Sequence, residues 1–456
     1  MSSVYCKALL LVLCCTVIDL QASVAQHNLL YVYDLAVKHD AQIAEAKARM
    51  HATLENTSQG RAALLPSLNL SANTQFNKVV TDVDGGSDEK GNYNSHGWSA
   101  TLKQPLFNLE RWFNYRQTTA VSDKVKSQFA AEQQDLILRV CEAYFNILRA
   151  EDSQITSKSE EKAVKQQLDQ AQERYDVGLT AKTDVHEAQA EYDNSRVARI
   201  LTDNQVSVSY ENLRTIIDTM LNDIGKLKKS MPILAPTPAM IEDWVNNAVA
   251  NNLNLQAARG DIVAAEENLR AKRSGHAPTV DAFASYNHTS TESGKARKNM
   301  NGGVASGRGH STVVGLNLNM PIFSGGATIS LVREANYLVE QSQQRFDMLL
   351  RETSSKTRNF FNTVNSDIER VEARKQGILS SESALKASQS GYEIGTRNIT
   401  DVLESQKKLY TARRDYLNAR YDFIINTLRL KQLTGTLSPD DINSLSGWIT
   451  FSQVEH

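Results

Sequence analysis

Apolar positions along this chain follow two different periods, and the order in which those periods alternate occurs twice. Leu109 to Val177 contains neither glycine nor proline, and after a break at Gly178 a second clean run extends from Leu179 to Ile224. Later, Ala327 to Ser390 holds only Gly377, Gly391 and Gly395 interrupt it, and Thr396 to Thr434 is clean again. The breaks align. Tyr175-Asp176-Val177-Gly178 matches Tyr392-Glu393-Ile394-Gly395, and Thr183-Asp184-Val185 matches Thr400-Asp401-Val402. The pattern predicts two copies of a very long helical hairpin. At the rise of an α-helix the longer arms reach roughly 100 Å, more than any single globular core requires.

Between these runs the period changes to two. Leu68, Leu70, Ala72, Thr74 and Phe76 alternate with Ser67, Asn69, Ser71, Asn73 and Gln75. Trp98, Ala100 and Leu102 alternate with Ser99, Thr101 and Lys103, and Val314, Leu316, Leu318 and Met320 with Gly315, Asn317 and Asn319. A fourth run opens at Pro278, less cleanly because Phe283 falls on the polar side. Strands are therefore expected at about 65–77, 97–105, 278–287 and 312–321, joined in pairs by polar loops. Leu29 to about Arg61 and Ala250 to Lys272 read as leading helices. Each half is thus helix, strand, loop, strand, long helix, turn, helix. The repeats span about 26–225 and 240–435, with a connector at about 225–240 and a short C-terminal tail packing around the helices.

Strands with one apolar and one polar face suit an outer-membrane barrel, apolar toward lipid and polar toward a watery lumen. Four strands cannot close a barrel, and an open edge cannot sit in lipid. Three copies would supply twelve. The expected fold class is mainly α, long hairpins forming a tunnel, with a membrane β-barrel completed between chains.

The N-terminus reads as a signal peptide, 1–25: Lys7, an apolar stretch from Ala8 to Ile18, and Ala-Ser-Val-Ala ending at Ala25. Cys14 and Cys15 lack the preceding small residues of a lipoprotein site. After cleavage only Cys141 remains, which excludes an internal disulfide. A net charge of -2 gives no reason to expect nucleic acid as a partner. The histidines are scattered without paired spacing, so no metal site or other cofactor is expected. Asp82-x-Asp84-Gly85 lacks the rest of a calcium loop. Gly302 to Gly309 lacks the Gly-Lys-Ser/Thr of a phosphate loop. Lys295, Arg297, Lys298 and Arg308 make the same loop basic, as expected of a solvated loop or one touching anionic lipopolysaccharide. No nucleophile–base set argues for an enzyme.

Several motifs in this order resemble the TolC family of outer-membrane efflux and secretion channels. They are Arg-x-x-Leu-Leu-Pro-x-Leu (Arg61 to Leu68), Gln-Pro-Leu-Phe (Gln104 to Phe107) and Ala-Tyr-Phe-Asn-Ile-Leu (Ala143 to Leu148). The others are Arg-Tyr-Asp-Val-Gly-Leu with Thr-Asp-Val (Arg174 to Val185), Pro-Ile-Phe-Ser-Gly-Gly (Pro321 to Gly326) and Gly-Tyr-Glu-Ile-Gly-Thr-Arg with Thr-Asp-Val-Leu (Gly391 to Leu403). The resemblance covers essentially all of 26–456. It implies a homotrimer in the outer membrane with its helices in the periplasm, docking onto a periplasmic adaptor (a membrane fusion protein) and an inner-membrane transporter, and exporting small molecules or proteins. It further implies an acidic pore aperture at Asp401 and Glu404, where the family usually has two aspartates. It implies a closing network of Gln167, Thr183 and Asp184 with Tyr392 and Arg397, and adaptor contact at Gly178, Leu179, Gly395 and Thr396. The competing expectation is a soluble periplasmic coiled-coil adaptor or scaffold, which would need a compact β-domain with two-sided cores.

Overall fold

A computed structural model describes residues 28–81, 89–293 and 307–450. The expected signal peptide, the Asp82 to Gly85 stretch and the loop lysines and Arg297 lie outside those residues. In chain order the elements are α1 (Leu29–His39), α2 (Ala41–Ala62), β1 (Ser67–Thr81), β2 (Glu89–Phe107), α3 (Leu109–Asp176), α4 (Lys182–Ile217), β3 (Lys226–Leu227), α5 (Ile241–Asn251) and α6 (Leu253–Arg273). After a short 3₁₀ turn follow β4 (Thr279–Ser293), β5 (Gly307–Asn319), α7 (Ala327–Glu393), α8 (Ile399–Leu433), α9 (Pro439–Ser446) and β6 (Ile449–Thr450). Two helices, two strands, a long helix and a shorter one therefore occur twice.

The first leading helix is divided where the sequence suggested one continuous element; the second starts at Ile241, ahead of the expected Ala250, and is divided as well. Asp40 ends α1 and its carboxylate accepts from the Ile43 N–H at 2.7 Å, starting α2. Asn252 does the same between α5 and α6, accepting from the Leu255 N–H at 3.0 Å. An Asx side chain that satisfies an orphan N–H permits a one-residue break without interrupting the apolar spacing.

The chain forms two compact units. Among the described residues, one comprises 28–44, Gln133–Ala250 and 355–450; the other lies within Glu45–Glu132 and Asn251–Ser354. The core of the first gathers Leu136, Tyr144, Phe145, Ile217, Ile424 and Leu428. Cys141 is fully buried there, and burial raises its thiol far above the ordinary value. The Tyr144 hydroxyl donates to the Gly225 carbonyl at 2.7 Å, so the chain after α4 is fastened to α3. The connector and the tail, neither of which reads as a strand, pair as β3 and β6 through Lys226–Thr450 and Leu227–Ile449. Gln134 donates to the Gly435 and Leu437 carbonyls, and Ile442 of α9 is fully buried.

Arg139 grips Asp40 with two bonds of 2.8 and 3.0 Å in this unit, and Asp40 is only 4% exposed. Burial alone would raise the Asp40 carboxyl. The Arg139 fork and the backbone N–H groups of Ile43 and Gln42 outweigh it and hold the group below the ordinary carboxylate range. Asp40→Ala removes both the helix cap and the partner of Arg139. The expected loss is about 3 kcal/mol, because Arg139 keeps Asp135 at 3.1 Å. The measurement is chemical unfolding of the helical signal in detergent. A lowered folded-state value means the stabilisation is present above the unfolded carboxyl's value, near 4. It is lost as pH falls through the folded value, so the gap between wild type and variant should close in acid.

In the second unit the strands form one antiparallel sheet ordered β1-β2-β4-β5. All four are longer than the sequence suggested. Residues opposite one another share a face, so the registers Leu68–Leu102, Leu102–Ala284 and Ala284–Val314 assemble an apolar row across the sheet. That face is bare: Leu68, Leu70, Val314, Leu316 and Leu318 are 68–76% exposed. The other face is polar, with Ser71 and Ser99 hydrogen-bonded at 2.8 Å and the Lys103 ammonium 3.1 Å from Asp281. Phe283, the exception in its strand, stands opposite Gly315, and its ring lies where a Cβ at 315 would come within 3.0 Å. One aromatic covers one glycine, so the two departures from alternation are a single packing event. Among the described residues no helix is long and apolar enough to cross a membrane.

Candidate functional site

The two glycine breaks are closed by the same hydrogen bonds. At the first, Leu179 N–H bonds the Arg174 carbonyl at 2.8 Å and Gly178 N–H the Tyr175 carbonyl at 2.9 Å. At the second, Thr396 N–H bonds the Gly391 carbonyl at 2.8 Å and Gly395 N–H the Tyr392 carbonyl at 3.2 Å. This is the Schellman arrangement, which requires φ > 0 at the penultimate position. Gly178 and Gly395 have φ of 78° and 77°, and neither has any atom within 4 Å of a Cβ placed on it. Leu179 is 69% exposed and Thr396 is exposed, so both tips present unobstructed surface.

The helices leaving the tips start differently. Asn398 caps α8 in a reciprocal box, accepting from the Asp401 N–H at 2.8 Å while the Asp401 carboxylate accepts from the Asn398 N–H at 3.3 Å. Ala181 provides no such cap for α4, and Asp184 instead accepts from the Thr180 hydroxyl. Asp401 is half-buried. Glu404, one turn on, is exposed and paired with Lys408 at 2.7 Å, and this bond to Lys408 keeps its carboxyl below the ordinary value. The two carboxylates share one helix face.

The residues expected to close the hairpins are only partly brought together within one chain. Arg397 does not reach Asp184. Its guanidinium donates to Ser388 at 3.2 Å, and Ser388 is 2.8 Å from Ser405, both within the second hairpin. A Cβ at Gly391 would come within 3.1 Å of the Arg397 stem, so the glycine makes room for it. Gln167 is half-buried and Thr183 exposed, and neither makes a side-chain hydrogen bond among the described residues. Tyr392 does bridge the hairpins. It is 7% exposed, and the Arg174 guanidinium lies 4.6 Å from its ring centre. Burial raises its phenol above the ordinary value, the Arg174 cation opposes the rise, and the Asp184 carboxylate adds to it. Thr180 also opposes the rise from beside the Tyr392 hydroxyl, although the two do not close to full hydrogen-bond geometry, and Arg174 Nε is buried and unpaired.

Other residues complete the junction. Thr400 donates to Glu187, Lys407 lies 3.5 Å from Glu191, and the Tyr410 hydroxyl donates to the Ser159 carbonyl at 3.2 Å. Beneath them Val164, Leu168, Ala171, Ala188, Ile399 and Val402 form a small apolar core. Thr400 and Arg174 stand inside the repeated motifs, but helical spacing does not say which faces of two hairpins meet. Among the described residues no cluster could hold a metal ion.

A family model described as "Outer membrane efflux protein" matches residues 32–219 and 244–436. The outer membrane protein TolC of Vibrio cholerae is 33% identical over 93% of this chain and 94% of its own. The proteases secretion protein PrtF of Dickeya chrysanthemi is 27% identical over 97% of this chain and 96% of its own. Among solved structures, the Vibrio cholerae outer membrane protein VceC superposes with a TM-score of 0.74 at 15% identity, over 89% of this chain and 96% of that one, a likeness of fold.

Proposed function

The chain belongs to the outer membrane efflux protein family, and from that premise we propose how it works as an outer-membrane channel for efflux or type I secretion. It is a transport protein whose sheet lies in the outer membrane and whose helices stand in the periplasm. The observation that carries the reading is the four-stranded sheet with a bare apolar face and two unpaired edges, β1 and β5. An apolar face needs lipid, and lipid forbids the edges. In the proposed homotrimer each β1 pairs with a partner's β5 and twelve strands close. A soluble adaptor or scaffold would leave that face in water. Purified protein added to planar bilayers should give discrete conductance steps; protein that stays soluble and gives none contradicts the reading.

The two hairpin tips form the periplasmic entrance in this account, and Gly178, Leu179, Gly395 and Thr396 meet a periplasmic adaptor that links the channel to an inner-membrane transporter. The closed state is held by Tyr392–Arg174, Thr400–Glu187 and Lys407–Glu191 within each chain. Gln167, Thr183, Asp184 and Arg397 take partners across chains. The unpaired Tyr392 hydroxyl and Arg174 Nε support a junction left incomplete in one copy, since an unsatisfied buried polar atom costs about 1–3 kcal/mol. Such a closure is easily released by a partner.

Asp401 and Glu404 line the aperture in three copies, two stacked rings of negative charge that favour cations. Lys408 offsets Glu404, so the rings are unequal. Lys408→Gln should increase cation preference and Asp401→Asn should reduce it, read as opposite shifts of reversal potential in a salt gradient.

A further inference from the structure

The register of the sheet gathers three of the scattered histidines on its bare face. His288 of β4 stands directly opposite His310 of β5 on one side and Trp98 of β2 on the other. One row further out, His96 pairs with Thr74 and Ser290, and Ser290 pairs with Arg308. Facing residues share a side, so Trp98, His96, His288, His310 and Arg308 all project from the face that carries Leu68, Leu102 and Val314. Trp98 is flanked by Tyr286 at 5.2 Å and His288 at 6.2 Å between ring centres. Beside it a depression of about 350 Å³ opens over Ala72, walled by Trp98, His96, Thr74 and His288. Arg308 makes no ion pair among the described residues. Of the charged groups with described side chains in the next rows out, Lys78 adds to the positive side and Glu292 opposes it.

The level of this row on the face is also defined. The apolar rows begin at Val280–Leu318, and His288 lies eight residues further along β4. At about 3.4 Å per residue, tilted about 40° as barrel strands are, the row stands about 20 Å up the wall. The apolar band of such barrels is about 25 Å tall, so the imidazoles lie where acyl chains give way to headgroups. Imidazole N–H groups and a guanidinium fork all donate to phosphate oxygens, and a tryptophan at that depth packs on a sugar or the first methylenes.

We propose that this row is a binding site for a phosphorylated, multiply acylated glycolipid of the outer leaflet, its phosphate held by His96, His288, His310 and Arg308 and its sugar seated against Trp98. The proposal rests on the channel reading above. The test uses the full-length protein in mild detergent, incubated with bisphosphorylated lipid A, with its dephosphorylated form, or with inorganic phosphate, and weighed intact by native mass spectrometry. The trimer should retain the phosphorylated lipid about tenfold better than the dephosphorylated one, as expected when charge-assisted hydrogen bonds to one phosphate are lost. Inorganic phosphate alone should not be retained. A variant combining His96→Gln, His288→Gln and Arg308→Gln should lose that preference while keeping the trimer mass, and Arg308→Gln alone should weaken it. A detergent-borne trimer that holds both lipids equally, or a variant trimer that keeps the preference, overturns the site and leaves the channel intact. Protein recovered as a soluble monomer without detergent overturns the channel reading and the site with it.

Discussion

Breaking the inter-hairpin junction should leave the channel standing open. Combining Tyr392→Phe, Thr400→Val and Arg174→Ala removes the cation–aromatic contact and the hydroxyl link to Glu187 while leaving the apolar core beneath them in place. Links of this kind are worth about 0.5–2 kcal/mol each. Losing even one shifts a closed–open balance by roughly 2- to 30-fold, and three symmetric copies compound it. The expected result in planar bilayers is a several-fold rise in single-channel conductance with unchanged trimer yield. Arg397→Ala should act in the same direction through the partners proposed for it across chains, because within one chain it bonds only its own hairpin. Conductance unchanged in every one of these variants would mean that the junction is a packing contact and not a gate.

The second large effect is at the tips. Gly178→Leu with Gly395→Leu should abolish export while trimers still reach the membrane. A side chain at a φ near 78° costs about 1–2 kcal/mol per position, tolerable in a long hairpin, and the space around each position is open. Nothing in the chain itself would clash. The new side chains point outward into whatever seats on the tips, so a partner that closes over them must be displaced. Resistance to a pumped compound, or secretion of the cognate protein, should fall at least tenfold against equal amounts of assembled channel. Normal export by the double variant would remove the tips from the contact surface.

The architecture is largely legible in the sequence, for a physical reason. Long Gly/Pro-free runs broken at matching glycines leave little freedom in where a hairpin turns, and the hydrogen bonds at Gly178 and Gly395 are the same in both copies. Strict alternation likewise marked which faces of β1, β2 and β5 are apolar. The strands run longer than their apolar stretches because backbone pairing continues into polar residues that carry no alternation. The break at Asp40 is hidden because a one-residue interruption with its own cap preserves the helical spacing on both sides, whereas α5 is short and directly follows a Pro-containing connector, so only its last residues fall within the expected helix. The β3–β6 pair is two residues long and has no period to detect. The site was harder still. Tyr392 stood in a motif and does bridge the hairpins, but its partner Arg174, and Glu187 for Thr400, depend on how four helices rotate against one another. Asp401 illustrates a further limit. A carboxylate at the third position of a helix reads equally as an aperture charge and as half of a capping box; within one chain Asp401 forms the box, which leaves its role between chains open to the trimer.

The central claim is that three copies of this chain close one barrel in the outer membrane. The most direct test is to fractionate membranes, extract the native protein in mild detergent and determine its oligomeric mass. The account predicts three chains per particle, recovered from the outer-membrane fraction and lost from it only with detergent. A monomeric species in the soluble periplasmic fraction would contradict it, because the apolar face of the sheet and both of its edges would then stand in water.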